Sequence, residues 1–129
     1  AEQSQFLSFN QIIKPRRFRQ ITSNVGSEDV TYYIKDFFGK IKLKDANLIT
    51  ENFTSQKYFL NESDPLSAKA QYDFKYLFQR SKWLIDIKGL VILTCDRKYF
   101  YLETNIITKY NNLNIFKKNK IYKILRKGF

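Results

Sequence analysis

The stretch NESDPLSAKAQYDFKYLF, residues 61–78, decides the fold because it holds the clearest β pattern of the chain. After Asp64-Pro65, two sets of side chains alternate, with Ala70, Tyr72, Phe74, Tyr76 and Phe78 on one side and Gln71, Asp73, Lys75 and Gln79 on the other. A period of two is typical of a strand with one apolar face. The pattern predicts a strand over residues 69–79, entered through a stiff Asp-Pro turn over residues 61–65.

Similar patterns continue on both sides of this stretch. Further strands are predicted over residues 17–24, 30–38 continuing as 40–44, 48–60, 83–94, 99–110 and 113–125. Gly39 interrupts an alternating run, which predicts a bulge or bend. Asn111-Asn112 predicts a short turn, since Asn tolerates positive φ. The only candidate for a helix lies within residues 1–14. We therefore expect a lead-in over residues 1–16 and one β domain over residues 17–129.

Long strands joined by short turns predict an all-β, antiparallel meander with little helix. Twelve Phe, nine Tyr and only four Gly agree with packed strands. Such a sheet must curl, stack or be covered to bury its apolar face. The expected architecture is a curved sheet or a partly closed barrel, and a two-sheet sandwich is the alternative.

The composition is that of one strongly basic domain. The 129 residues carry a formal net charge of +11, and no apolar run reaches the length of a membrane-spanning helix. The single cysteine, Cys95, fits a reducing compartment, so we expect a cytoplasmic protein. The basic excess lies towards the C-terminus, where a solvated surface is the simpler interpretation and contact with a polyanion is the alternative. The candidate contacts are Lys109, Lys117, Lys118, Lys120, Lys123 and Arg126.

The residue types that most often carry catalysis are missing. The chain has no histidine, which removes the usual general base and the Ser-His-Asp triad. It has no G-x-S-x-G elbow, no P-loop, no G-x-G-x-x-G sequence and no Cys/His cluster for zinc. Cys95 without a histidine is a weak nucleophile candidate. We expect a chain that is not an enzyme and needs no cofactor or metal.

The order of short motifs resembles the last segment of the CocE/NonD hydrolases, the cocaine-esterase and X-Pro-dipeptidyl-peptidase-like serine hydrolases. The resemblance covers roughly residues 17–129, and its first motif is Asp36 and Gly39 in DFFGKIKLKDANLITENFTSQKYFLNESDPLSAKAQYDFKY. It continues through a Trp turn, a Thr-x-Asp turn and a following Phe. The residues of this structural junction are Asp64, Pro65, Leu66, Ser67, Ala68, Trp83, Asp96 and Phe100. The chain departs from the family at its end, where Ile124-Leu125-Arg126-Lys127 stands for Ile-Pro-Arg-Asp.

The resemblance implies an accessory β domain, not the catalytic part of a hydrolase. Members of the family hydrolyse ester or amide bonds with a Ser-Asp-His triad on an α/β-hydrolase domain, which a jelly-roll domain follows. Both precede the segment resembled here, and no triad residue maps onto this sequence. The implied role is packing on a separate α/β-hydrolase polypeptide or on a second copy of the chain. An excised domain and the product of a split gene both fit.

Two other functions remain open from the residues alone. A nucleic-acid-binding module would use Tyr99 and Tyr101 together with the lysines of the last hairpin. A carrier of a small apolar ligand would need a cavity inside a curved sheet, lined by Phe74, Tyr76, Val91, Phe100 and Ile106. Neither accounts for the Asp-Pro-Leu-Ser-Ala junction, so both rank below the accessory domain.

Overall fold

The computed structural model describes residues 9–127 and confirms an all-β antiparallel meander. All of its strands belong to a single eight-stranded sheet. They are β1 (Phe9–Ile13), β2 (Arg16–Asn24), β3 (Asp29–Leu43), β4 (Leu48–Asn61), β5 (Asp64–Arg80), β6 (Trp83–Cys95), β7 (Tyr99–Tyr110) and β8 (Leu113–Leu125). From β3 to β8 the spatial order follows the chain, while β1 and β2 share the free edge of β3.

A bulge in β3 faces the break between β1 and β2. β2 pairs with the first part of β3, up to Phe37, and β1 pairs with the part that starts at Lys40. Gly39 lies between them with φ of 94°, and a Cβ there would come within 2.9 Å of the Ile13 carbonyl oxygen. Only glycine fits this backbone without strain. The bulge expected at Gly39 is confirmed.

Two local expectations were wrong. β5 begins at Asp64 and not at residue 69, because the turn before it consists only of residues 62–63 and the junction itself runs extended. Residues 65–68 of β5 lie opposite Leu60 alone, which makes a large, irregular bulge between β4 and β5. The candidate helix is a strand where the structure describes it, since Phe9–Ile13 pairs with β3 as β1. The remainder of that candidate, at residues 1–8, lies outside the described residues.

The sheet is a single open layer within the described residues. Each strand contacts only the strands with which it pairs, so these residues form neither a closed barrel nor a sandwich. None of their apolar side chains is fully buried, and the buried polar side chains are those of Asp36 and Thr54. The apolar face that the sequence pattern predicts is therefore present but uncovered. Residues 9–127 contain no helix long and apolar enough to cross a membrane.

Candidate docking surface

Cross-strand register gathers the aromatic row of β5 and its neighbours into one surface. Phe74 pairs with Gly89 on β6, and Gly89 pairs with Ile106 on β7. The flanking rows place Val91 beside Tyr72 in the same way. Directly paired residues project to the same face of a sheet. We call the side in phase with Tyr72 and Phe74 the aromatic face, and the side in phase with Asp73 and Lys75 the polar face.

The centre of the aromatic face is held together by ring packing. The Phe74 ring lies 5.9 Å from the Tyr72 ring and 5.4 Å from the Tyr76 ring, measured between centroids. It also covers Gly89, where a Cβ would come within 2.0 Å of Phe74 Cζ. A glycine in a central strand thus makes room for an aromatic ring from the next strand. The rings shield one another but remain half-buried, since no second layer from residues 9–127 lies on them.

An ion pair anchors the border of this face near the free edge at β2. Arg17 Nε donates to Asp36 Oδ1 at 2.6 Å, and Arg17 Nη2 donates to Asp36 Oδ2 at 3.2 Å. Asp36 is only 8% exposed, so its carboxylate depends on this partner. The hydrogen bond from Arg17 lowers the pKa of Asp36 below its ordinary value, although desolvation opposes the shift.

We expect the stability of the sheet to depend on the charge of Asp36. A depressed folded-state pKa adds stability that is present above the unfolded-state value and is lost as the pH falls through the folded-state value. Asp36→Asn should therefore lower the free energy of unfolding at pH 7, and the gap to the wild type should shrink below about pH 4. Urea unfolding between pH 7 and pH 2.5 measures this gap, and Arg17→Gln should reproduce its shape. A gap that stays constant over this range would contradict the role of the ion pair.

An apolar pocket lies beside the bulge at the start of β5, at one end of the aromatic face. The pocket has a volume of about 240 Å³, and its lining includes Tyr58, Ala68, Ala70, Leu93 and Phe100. These five side chains come from the four neighbouring strands β4 to β7, and the three large ones, Tyr58, Leu93 and Phe100, can pack around an inserted group. A pocket of this kind receives an aromatic or aliphatic anchor from a partner in many protein interfaces.

Side-chain hydrogen bonds fix the backbone conformation of the bulge. The Ser67 hydroxyl donates to the Asp64 carbonyl at 2.6 Å and accepts from the Asn61 amide at 2.8 Å. The Asp64 carboxylate accepts from the Leu66 amide at 3.1 Å. Asn61 ties the same end to the turn before β3, since its Nδ2 donates to the Ser27 carbonyl at 2.8 Å. These bonds fix the backbone of the Asp-Pro-Leu-Ser-Ala junction, whose last residue, Ala68, lines the pocket.

Ser67→Ala should lower the free energy of unfolding by about 1–2 kcal/mol, because it removes two hydrogen bonds and leaves the Asn61 amide without its acceptor. The measurement is urea unfolding followed by circular dichroism. Ser23→Ala, at an exposed position of β2, is the matched control and should change the value by less than about 0.5 kcal/mol. Equal effects of the two substitutions would contradict the role of Ser67.

The structure brings together most of the junction residues expected from the sequence. Phe100 lies on the same pocket as Ala68, and Asp96 organises the adjoining turn between β6 and β7. The Asp96 carboxylate accepts from the Lys98 amide at 2.8 Å, the Tyr99 amide at 2.7 Å and the Tyr101 hydroxyl at 2.5 Å. These bonds, with that of Tyr101 foremost, lower the pKa of Asp96. Trp83 stands apart, because it begins β6 at the opposite end of the sheet.

The basic residues expected to contact a polyanion do not share one surface. The register places Lys109, Lys117 and Lys123 on the polar face, and Lys118 and Lys120 on the aromatic face. Arg126 is engaged elsewhere, since its Nη1 donates to the Asp96 carbonyl at 2.6 Å and its guanidinium lies 5.1 Å from the centre of the Phe100 ring. A polyanion on either face would meet only part of this set.

The residues expected to line a ligand cavity do share one face but not one cavity. Phe74, Tyr76, Val91 and Ile106 all project to the aromatic face, together with Phe100. Phe74 borders a groove of about 280 Å³ whose lining is mostly polar-face residues such as Lys75 and Lys88. Phe100 lines the separate pocket near the junction. These five residues form part of an open surface that another protein could cover.

Sequence reasoning missed Arg19, Tyr58 and Leu93 as members of this surface. Each of them can be assigned to a face only once the register of the strands is known. Arg19 pairs with Ile34, and Tyr58 pairs with Ala70, which in turn pairs with Leu93. The strand patterns alone did not fix which residues of neighbouring strands lie opposite one another.

Comparison with known proteins adds no relative to this description. No protein-family model matches the chain, and neither a curated protein nor a solved structure matches it. The link to the CocE/NonD hydrolases therefore remains a prediction that rests on the motifs quoted from the sequence.

Proposed function

We propose that the chain is a non-catalytic accessory β module that docks its aromatic face on another polypeptide. The observation that carries the proposal is an amphipathic sheet whose apolar side has nothing on it within the described residues. Sheets in folded proteins bury such a face against another layer. A partner that supplies this layer would bury the apolar face of the module, and both proteins would lose exposed apolar surface.

The resemblance identifies the partner in this proposal as an α/β-hydrolase polypeptide of the CocE/NonD type. The absence of histidine from the chain supports a division of labour in which the Ser-Asp-His triad belongs to the partner. The junction supports it as well, because its last residue, Ala68, lines a pocket suited to an anchor side chain together with Phe100. The module would then contribute packing or assembly, while the ester or amide hydrolysis is done by the partner.

Affinity capture tests this proposal. The tagged chain is expressed in its own cells, recovered at moderate salt after nuclease treatment, and its companions are identified by mass spectrometry. We expect an α/β-hydrolase polypeptide in near-stoichiometric amount. Recovery of the chain alone would contradict the proposal. Recovery of nucleic acid without nuclease, lost steeply as salt rises, would instead favour the polyanion-binding alternative.

A further inference from the structure

We infer that the docking partner presents an apolar centre bordered by carboxylates, and that a second copy of this chain is the wrong occupant of the aromatic face. This inference rests on the proposed docking function and adds the chemistry of the partner. It comes from the distribution of charge between the two faces of the sheet. The positions of the charges determine which partner surface would be complementary.

Charged side chains on the aromatic face lie almost entirely at its borders. Among the paired positions of β4 to β7, this face carries only Arg80, at the end of β5. The edge at β8 carries Lys118 and Lys120, and the opposite edge carries Arg17 and Arg19 on β2. The polar face, in contrast, mixes both signs along its central strands. The aromatic face is thus an uncharged centre with a cationic border.

The border has almost no acidic partners of its own. Asp36 is the carboxylate that shares this face, and Arg17 already binds it with two hydrogen bonds. In residues 9–127 no carboxylate lies within ion-pair distance of Arg19, Lys118 or Lys120. The Lys120 ammonium rests 4.7 Å from the centre of the Tyr122 ring on the same edge. Arg19 contributes a weak electrostatic attraction to Asp36, but all three cations stay exposed and can also meet carboxylates from outside the chain.

A second copy cannot provide those carboxylates. Stacking two aromatic faces requires a two-fold axis that lies in the plane between the sheets. If the axis runs along the strands, β2 of one copy lies over β8 of the other, so Arg19 meets Lys118 and Lys120. If it runs across the strands, β8 lies over β8 and β2 over β2. Both arrangements oppose cations with cations, which costs several kcal/mol in a desolvated interface.

The edges of the sheet disfavour self-association as well. β8 is exposed along its whole length and could pair with another strand. The lysines of β8 project to both faces, and charged side chains of this kind on an edge strand disfavour pairing with another strand. At the other edge, the strand is interrupted between β1 and β2 at Pro15, which has no backbone N–H to donate to a further strand. The face is therefore the better surface for a partner.

The exposed area fits a large, permanent interface. The chain exposes 9855 Å². A compact monomer of 15.5 kDa exposes about 7,200 Å². The surplus of about 2,650 Å², to which both uncovered faces of the sheet contribute, compares with the roughly 1,000–2,500 Å² or more that one partner buries in an obligate complex. To bury this much surface, the partner must cover most of the aromatic face. The rim of the partner's interface would then lie opposite the cations.

A charge-reversed copy of the chain serves as the probe for this chemistry. The variant Arg19→Glu/Lys118→Glu/Lys120→Glu keeps the apolar centre and replaces most of the cationic border by carboxylates. Mixed with the wild-type chain, it should form a one-to-one complex at least tenfold tighter than the wild type forms with itself. Sedimentation velocity at about 50 mM salt measures both associations, and the difference should largely disappear at about 500 mM salt.

A matched variant separates the border from net charge. Arg16→Glu/Lys117→Glu/Lys123→Glu makes the same change of charge on the same two strands, but on the polar face. The affinity of this variant for the wild-type chain should be at least tenfold lower than the affinity of the border variant for the wild-type chain. Circular dichroism checks the fold of each variant. If the glutamate variant fails to fold, Arg19→Gln/Lys118→Gln/Lys120→Gln replaces it and should pair with the wild type more tightly than the wild type pairs with itself.

The outcomes distinguish this inference from the docking function. Equal affinities in all mixtures, or no association in any of them, would overturn the acidic-border chemistry. If Val91→Lys in both partners abolishes association but border reversal has no effect, the aromatic face docks and only the inference fails. If association is strong and indifferent to Val91→Lys, the docking face itself is wrong and the proposed function fails with it.

Discussion

Val91→Lys should weaken docking by about a hundredfold or more while the sheet still folds. Val91 lies on β6 at the centre of the aromatic face, directly beside Tyr72. In the free chain the new ammonium reaches water across an uncovered face, so the cost of folding is small. In the complex it would be enclosed without a counter-charge, which costs about 3–5 kcal/mol. Titration of the variant against the captured polypeptide measures the loss.

Leu90→Lys is the control for this substitution. Leu90 is the adjacent residue of the same strand, is half-buried like Val91, and projects to the polar face beside Asp73. It should bind the partner within about threefold of the wild type, since its side chain stays outside the interface. Equal losses from the two substitutions would contradict docking through the aromatic face and would point to a general effect on the fold.

The second large effect is the stabilisation of the chain by its partner. A ligand at a hundred times its dissociation constant adds about 2.7 kcal/mol when it binds only the folded state. For a domain of this size, the melting temperature should then rise by about 10 °C. The shift is expected because the isolated chain leaves its apolar side chains half-exposed, and the partner completes their burial.

Differential scanning fluorimetry with increasing amounts of the captured polypeptide tests this expectation. The shift should grow with the concentration of the partner and should be absent for Val91→Lys. An unchanged melting temperature at saturating partner would mean that the complex does not bury the aromatic face.

The sequence was sufficient for the strands that alternate cleanly and end at strong turn signals. Asn111 and Asn112 have φ of 46° and 66°, so they form the tight turn that two Asn residues indicate. Gly39 likewise marks a real bulge. In both places a local preference of the backbone determines the structure, and a local pattern is enough to predict it.

The start of β5 could not be predicted in the same way. Asp64 and Pro65 are turn residues by composition, yet here they lie in an extended bulge. The bulge depends on contacts between distant segments, such as the bonds from Asn61 to the turn before β3. Strand β1 was missed for a related reason, because it is short and its place is set by the bulge at Gly39 on its neighbour.

The layer architecture and the docking surface required the register. Alternation indicates that Phe74 and Tyr76 share a face, but not whether a second sheet, a barrel wall or another protein covers them. The lysines of β8 looked like one basic cluster in the sequence. Odd and even positions of a strand face opposite sides, so Lys117 and Lys118 belong to different surfaces.

Hydroxyl-radical footprinting of the chain, isolated alone and in the complex recovered from its own cells, tests the central claim most directly. The probes are Phe74 and Tyr76 on the aromatic face and Phe53 and Tyr33 on the polar face. We expect oxidation of Phe74 and Tyr76 to fall at least fivefold in the complex, while Phe53 and Tyr33 change little. Equal oxidation of both faces in the two samples, or protection of the polar face alone, would contradict docking through the aromatic face.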